Sequence, residues 1–203
     1  MPSLIKFARL LAIAAVVATV VAACSSGDSA DADTGAVAAE PAMMDTGMAA
    51  MPGMNDAPAK DADQEFLRMM VDHHEGLLVM ADSALKKGTS AQVKADAQKL
   101  KTDQTAERQK MLGMLKTDYS DDHMAMVMPS SNTMIAAAAR KTGAEYDRQF
   151  RENIIAHHRE ALTMIDRFLP RFTKPANRQM AEKMKAAQAR EIADFEKKIQ
   201  RGV

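Results

Sequence analysis

The feature that most constrains this chain is an internal repeat. Sliding residues 62–115 onto 146–199 at a constant offset of 84, without a gap, superposes fourteen identical residues. Asp63 falls on Asp147, Phe66 on Phe150, the pair His73-His74 on His157-His158, Leu78 on Leu162, Met80 on Met164, Asp82 on Asp166 and Leu85 on Leu169. Further along, Gln104 and Glu107 meet Gln188 and Glu191. A register kept over that length marks a duplicated unit, one that buries its apolar face by stacking on its own copy.

Each copy reads as a helical hairpin. Apolar residues recur at helical spacing from Phe66 to Leu85, Gly88 offers a C-terminal stop, and Thr89 with Gln92 resembles a capping box for a helix reaching about Leu115. In the second copy Leu169-Pro170 ends one helix, and Thr173 ahead of Pro175 starts another that runs to about Gln200. Between the copies, Ser130 or Ser131 is placed to cap a short helix through "MIAAAARK", closing at Gly143. Strand signals are essentially absent. Two hairpins with one sticky face each bury it best against each other, so the expected fold is all-α, a four-helix bundle over residues 61–203.

The segments before the bundle set its compartment. Lys6 and Arg9 precede an apolar run, Leu10 to Ala23, broken only by Thr19. Its fourteen residues are too few for the roughly 20 that cross a bilayer as a helix, so residues 1–23 read as a secretory leader. Val21-Ala22-Ala23-Cys24 resembles a lipobox, which makes Cys24 the expected lipidation site and new N-terminus; an ordinary leader with a free thiol is the alternative. The expectation is an exported lipoprotein, anchored in a membrane and facing the periplasm or the cell exterior. Residues 24–60 carry no sustained apolar period and read as a disordered tether. Its "MMDTGMAAMPGM" holds Met43, Met44, Met48, Met51 and Met54, which serve either as metal-capturing thioethers or as mere compositional drift.

Charge and cysteine usage then exclude whole classes of function. Without the leader, 25 basic residues face 27 acidic ones, so no basic surface is available for nucleic acid. Cys24 is the only cysteine, which removes disulfides and thiolate metal sites; soft-metal chemistry must use methionine and histidine. No Gly-x-Ser-x-Gly elbow or phosphate loop appears.

Heptad counting places the histidines. One seam of the first helix runs Phe66, Met70, His73, Leu77, Met80, Ala84, and its copy runs Phe150, Ile154, His157, Ala161, Met164, Phe168. His74 and His158 fall on the adjoining stripe. The partner helices set Gln104 with Glu107, and Gln188 with Glu191, where leucines would otherwise stand. Antiparallel counting through each turn brings His73 level with Glu107 and His157 level with Glu191. The expectation is a polar layer across the middle of the bundle, made twice.

Unpartnered buried carboxylates are costly, so such a layer needs protons, ion pairs or a metal. A purely structural Glu–His network, fixing helix register in a metal-free interaction module, is one solution. Metal ligation is the other. Imidazole and thioether suit Cu(I), and Met69 and Met80 share the face of His73 as Met164 shares that of His157. The expected ligands are His73, His157, Met80 and Met164, followed by His74, His158, Met69 and Met70. Glu107, Glu191, Gln104 and Gln188 would orient the rings from behind. "HMAMVM" adds His123, Met124, Met126 and Met128 as a second metal site or, alternatively, a loop tucked under apolar residues. A di-iron or di-manganese redox enzyme competes, since Glu107, Glu191, His73 and His157 together suit a hard ion. Its usual Glu-x-x-His is missing, because no acid lies three residues before any of the five histidines.

"FLRMMVDHHEGLLVMA" and "FRENIIAHHREALTMI", each followed about 30 residues on by Gln-x-x-Glu, resemble the family catalogued as domain of unknown function 305. The resemblance covers roughly residues 62–200. It implies a ferritin-like four-helix bundle, commonly exported, with some members similar to CopM-type periplasmic copper-binding proteins. The His-His pairs carry over to His73, His74, His157 and His158, and the following methionine to Met80 and Met164. Met69 and Met70 match the methionines that often precede the pair, where the second copy has Asn153 and Ile154. The expected role is to sequester Cu(I), with Ag(I) also accepted, or to exchange it with a donor or acceptor protein, without turning over a substrate.

Overall fold

The structure, a computed structural model, describes residues 57–202; the leader, Cys24 and most of the methionine-rich tether lie outside the described residues. The chain divides into Met1–Ala50 and Met51–Val203, and every described residue belongs to the second unit. That unit contains α1 (Ala62–Lys87), α2 (Ala91–Tyr119), α3 (Pro129–Ala139), α4 (Gly143–Phe168), a 3-10 turn (Leu169–Arg171) and α5 (Pro175–Arg201). No strand occurs among the described residues, and none of their helices is long and apolar enough to cross a membrane.

Helix ends follow local chemistry, though not always the chemistry the sequence suggests. Asp61 caps α1 by accepting from Gln64 N at 2.8 Å, and Lys86 and Lys87 complement the carbonyl end. Ser90, not Thr89, caps α2, accepting from Val93 N at 3.1 Å. Neither Ser130 nor Ser131 caps α3. Proline needs no N–H partner in a first turn, so Pro129 opens that helix with Met128 ahead of it and no side-chain cap. Gly143 does not close α3, which ends at Ala139; at φ +59° it opens α4 instead.

The two threonines assigned to caps have a different task. Asp63 accepts from Thr173 N (2.8 Å), Thr173 Oγ1 (2.7 Å), Asn177 Nδ2 (2.8 Å) and Lys174 N (3.3 Å). Its copy, Asp147, accepts from Thr89 N (2.9 Å), Thr89 Oγ1 (2.8 Å) and Ser90 N (2.8 Å). Each hairpin's first helix therefore grips the loop of the other hairpin, and the grip is reciprocal because the duplication made both halves of it. Burial alone would raise these carboxyls, but the donors outweigh it and hold both below the usual aspartate value.

The hairpins α1/α2 and α4/α5 pack through α1 against α4, and Lys198 reaches Asp96 from α5 to α2 at 2.8 Å. The apolar core is in two pieces. One end gathers Phe66, Leu67, Met70, Met111, Leu115, Phe168 and Phe172; the other gathers Leu77, Met80, Val93, Leu100, Tyr146, Phe150 and Phe195. Between them in the chain lie His73 and His74 on α1 and His157 and His158 on α4, all at 0 % exposure, with Gln104 and Gln188 buried on the partner helices. The all-α bundle of two hairpins and its mid-bundle polar layer are as the periodicity expects, and the ferritin-like form is as the family resemblance implies.

Candidate metal centre

At the layer, α1 and α4 meet through the inner histidines. The rings of His73 and His157 stack with centroids 3.7 Å apart at 30°, and His157 Nε2 donates to the backbone oxygen of His73 at 3.0 Å. That bond assigns the proton to Nε2 and leaves Nδ1 with a free lone pair. Neither nitrogen of His73 has an aligned hydrogen-bond partner, although the His157 backbone approaches the ring, and His157 Nδ1 has none. A buried polar atom left unpaired costs about 1 to 3 kcal/mol, so three of them at one point need a reason.

The outer histidines meet the carboxylates. His74 Nε2 lies 3.0 Å from Glu107 Oε2 while its Nδ1 donates to Met70 O at 2.8 Å. Both nitrogens of this ring are therefore taken up by protein partners. His158 Nε2 stands 3.0 Å from Glu191 Oε2, an ion-pair separation without hydrogen-bond alignment at the ring. Counting from the turns expects His73 and His157 opposite these glutamates; the structure shifts the contact by one residue in both copies. The α1–α4 contact takes the inner rings, which turns the outer ones toward α2 and α5.

Charge follows burial. Desolvation, with the neighbouring imidazoles adding to it, holds His73 well below the usual histidine value and His157 at about 3. Both are neutral at physiological pH, the form in which imidazole ligates. Burial pushes Glu191 up, but His158 and Lys99 outweigh it, so that carboxyl is lowered.

The methionines divide between the two ends. Met70 is fully buried in the Phe66 cluster, with Met69 and Met164 partly buried against it; Met80 lies in the Phe150 cluster. The strap before α3 is turned inward at one residue and outward at the next. His123 is buried with Nε2 2.8 Å from Asp72 Oδ1, an oxygen that also accepts from Met126 N at 2.9 Å. Met124 is 82 % exposed, Met126 is exposed and Met128 is partly buried, whereas His123 is held inside by Asp72.

One residue at the layer escapes the sequence reading. Glu160, one turn after His157, places a buried and unpartnered Oε2 3.8 Å from His73 Nε2. The available signal was a mismatch in the repeat: Glu160 falls on Gly76. As a donor set, unpartnered imidazole nitrogens and a buried carboxylate oxygen fit a metal ion. Among the described residues no three His, Asp or Glu side chains are grouped for coordination.

Known proteins share this architecture. CopM in its Cu(I)-bound form is 25 % identical over 68 % of this chain and 96 % of its own, with a TM-score of 0.60. CopM in its Cu(II)-bound form is 24 % identical over 70 % of this chain and 97 % of its own, at 0.59. A fragment from Deinococcus radiodurans, described as DUF305, is 22 % identical over 71 % and 99 %, at 0.63. No curated protein matches the sequence significantly. The family described as domain of unknown function (DUF305) matches twice, over residues 13–115 and 116–199, in step with the duplication. This chain therefore belongs to the DUF305 family.

Proposed function

We propose that this protein is an extracytoplasmic copper-binding lipoprotein that sequesters Cu(I) in the histidine layer or passes it on. The observation that carries the reading is the set of buried imidazole nitrogens on His73 and His157 that lack a protein partner. Low proton affinity at both rings leaves them ready to ligate without first releasing a proton. Support from outside the chain comes from CopM, which has Cu(I)-, Cu(II)- and silver-bound forms on the same fold.

His73 and His157 supply the central nitrogens, and Met80 and Met164 supply thioethers on the same helix faces, one toward each end of the layer. Met69 and Met70 extend the sulfur path below His73. His74, held by Met70 O and Glu107, positions the layer, as His158 does with Glu191. Lipidation at Cys24 would keep the bundle at a membrane, and the tether methionines would raise the local ion concentration beside it. A carboxylate-bridged iron or manganese site is disfavoured, because Glu107 and Glu191 each serve the outer histidine of their own hairpin.

Anaerobic Cu(I) titration against a chromogenic chelator tests this. Wild-type protein is expected to compete for copper, and the double variant His73→Ala/His157→Ala to lose at least 100-fold in affinity. Iron uptake with oxygen consumption would favour the redox enzyme, and no metal uptake the register-fixing module.

A further inference from the structure

The two inner histidines are copies of each other, yet their surroundings differ. Beside His157 stands Gly76, whose missing side chain makes a notch filled by Ser131 of α3. A Cβ at residue 76 would lie 2.1 Å from Ser131 Oγ and 3.7 Å from His157 Nε2. Ser131 is itself fully buried, and His157 Nε2 is spent on His73 O. On this side the ring's Nε2 is not available to an ion, and no carboxylate stands beside it.

Beside His73, the position equivalent to Gly76 is Glu160. Its Oε2 and His73 Nε2 are 3.8 Å apart, both buried, and neither has a hydrogen-bond partner. That gap is too long for a hydrogen bond. It leaves room for an ion between them: at bonds of about 2.0 to 2.2 Å and the right angles that Cu(II) prefers, neighbouring ligand atoms stand roughly 3 Å apart, so the partly exposed Glu160 carboxylate would close on the ring by under about 1 Å as the ion enters. The Glu160 side chain is one-third exposed, so it also links the buried ring to water. Met164 follows Glu160 by four residues on the same face of α4.

We infer that His73 and Glu160 form a one-sided site for divalent copper, and that the duplicated layer holds one such ion rather than two. The inference rests on the layer being the copper site and specifies which half and which oxidation state it serves. Carboxylate oxygen is a hard ligand that favours Cu(II) over Cu(I), whereas thioether sulfur has the opposite preference. Glu160 and, one turn further along α4, Met164 offer both ligand types on one helix face, with Glu160 needed for the divalent state.

The test is a Cu(II) titration of the full chain against a weak chelator, with electron paramagnetic resonance at one equivalent and a parallel anaerobic Cu(I) titration. Glu160→Gln keeps size and removes charge; Glu75→Gln, whose carboxylate pairs with Arg108, is the control. Expected results are loss of one Cu(II) equivalent's affinity by tenfold or more in Glu160→Gln, with an altered copper spectrum, and less than threefold change for Cu(I). Glu160→Asp should recover part of the Cu(II) affinity, and it keeps the test open if the glutamine variant folds poorly by circular dichroism. Two equal Cu(II) sites in the wild type, or an unchanged spectrum and affinity in Glu160→Gln, would overturn the inference alone. Absence of binding in both oxidation states would overturn the copper reading with it.

Discussion

The two halves of the histidine layer keep the same His-His pair but differ in what each inner ring meets. His73 looks onto Glu160, and His157 looks onto Gly76 with Ser131 in its notch. Gene duplication fixes backbone register and hence the layer itself; it does not fix what each ring meets. Helix α3 packs against both α1 and α4 beside His157, where Asn153 Nδ2 donates to Met134 O at 2.9 Å and Lys87 Nζ of α1 to Ala139 O at 2.8 Å. The lesson is that symmetric sequence motifs can sit in asymmetric chemistry when a connecting segment is used once.

The ends of the bundle differ in the same way. Phe66 meets Phe172 edge-on at 4.9 Å and Phe168 at 5.6 Å. At the opposite end, the equivalents of Phe168 and Phe172 are Ala84 and Gly88, and Tyr146 takes up the space beside Phe150 while its hydroxyl donates to Ser83 Oγ at 2.9 Å. Gly88 is required there because a Cβ would stand 2.5 Å from Ala84 O and 2.9 Å from Val93 Cγ1.

Acid should expose the layer with the largest effect. The unfolded chain protonates its histidines as pH falls below about 6.5, whereas folded His157 resists until about 3 and folded His73 is also well lowered. The unfolded state thus binds more protons, and metal-free stability, full above pH 6.5, is lost as pH drops toward 3. The slope is about 1.4 kcal/mol per pH unit for each ring. Urea melts from pH 7 to 4 measure it, and His157→Leu should leave a shallower slope carried by His73.

Breaking the aromatic end comes next. Phe66→Ala is expected to cost about 4 kcal/mol and Phe150→Ala about 3, since only Phe66 loses two ring partners. Chemical denaturation of both variants reads the difference, and equal losses would erase it.

Closing the notch should follow. Gly76→Ala is expected to cost about 2 to 3 kcal/mol by overpacking against Ser131, and Ser131→Gly in the same chain to restore most of it. A thermal melt that ignores Gly76→Ala would mean that α3 does not seal this half.

The loop grips should give the smaller contrast: Asp63→Ala about 3 kcal/mol and Asp147→Ala about 2, in proportion to four donors against three. Lys99→Ala, at a cation mostly in water, should stay below about 1 kcal/mol despite its contacts with Asp103 and Glu191.

Much of this was open to a reader of the sequence. The 84-residue offset and the 3.6-residue period determined two hairpins, their antiparallel packing and a polar layer at mid-bundle, because periodicity alone says which face must leave water. Family membership was likewise written in the His-His and Gln-x-x-Glu spacing. Three-dimensional packing decided the rest. Which histidine of each pair meets a glutamate depends on a rotation of about one residue that helix counting does not resolve. Thr89 and Thr173 resemble caps locally, yet a charged aspartate from the other hairpin offers a stronger partner than a helix end does. Glu160 beside His73 and Ser131 beside His157 are contacts between helices, and hydrophobic periodicity carries no record of where a polar side chain from another element will land.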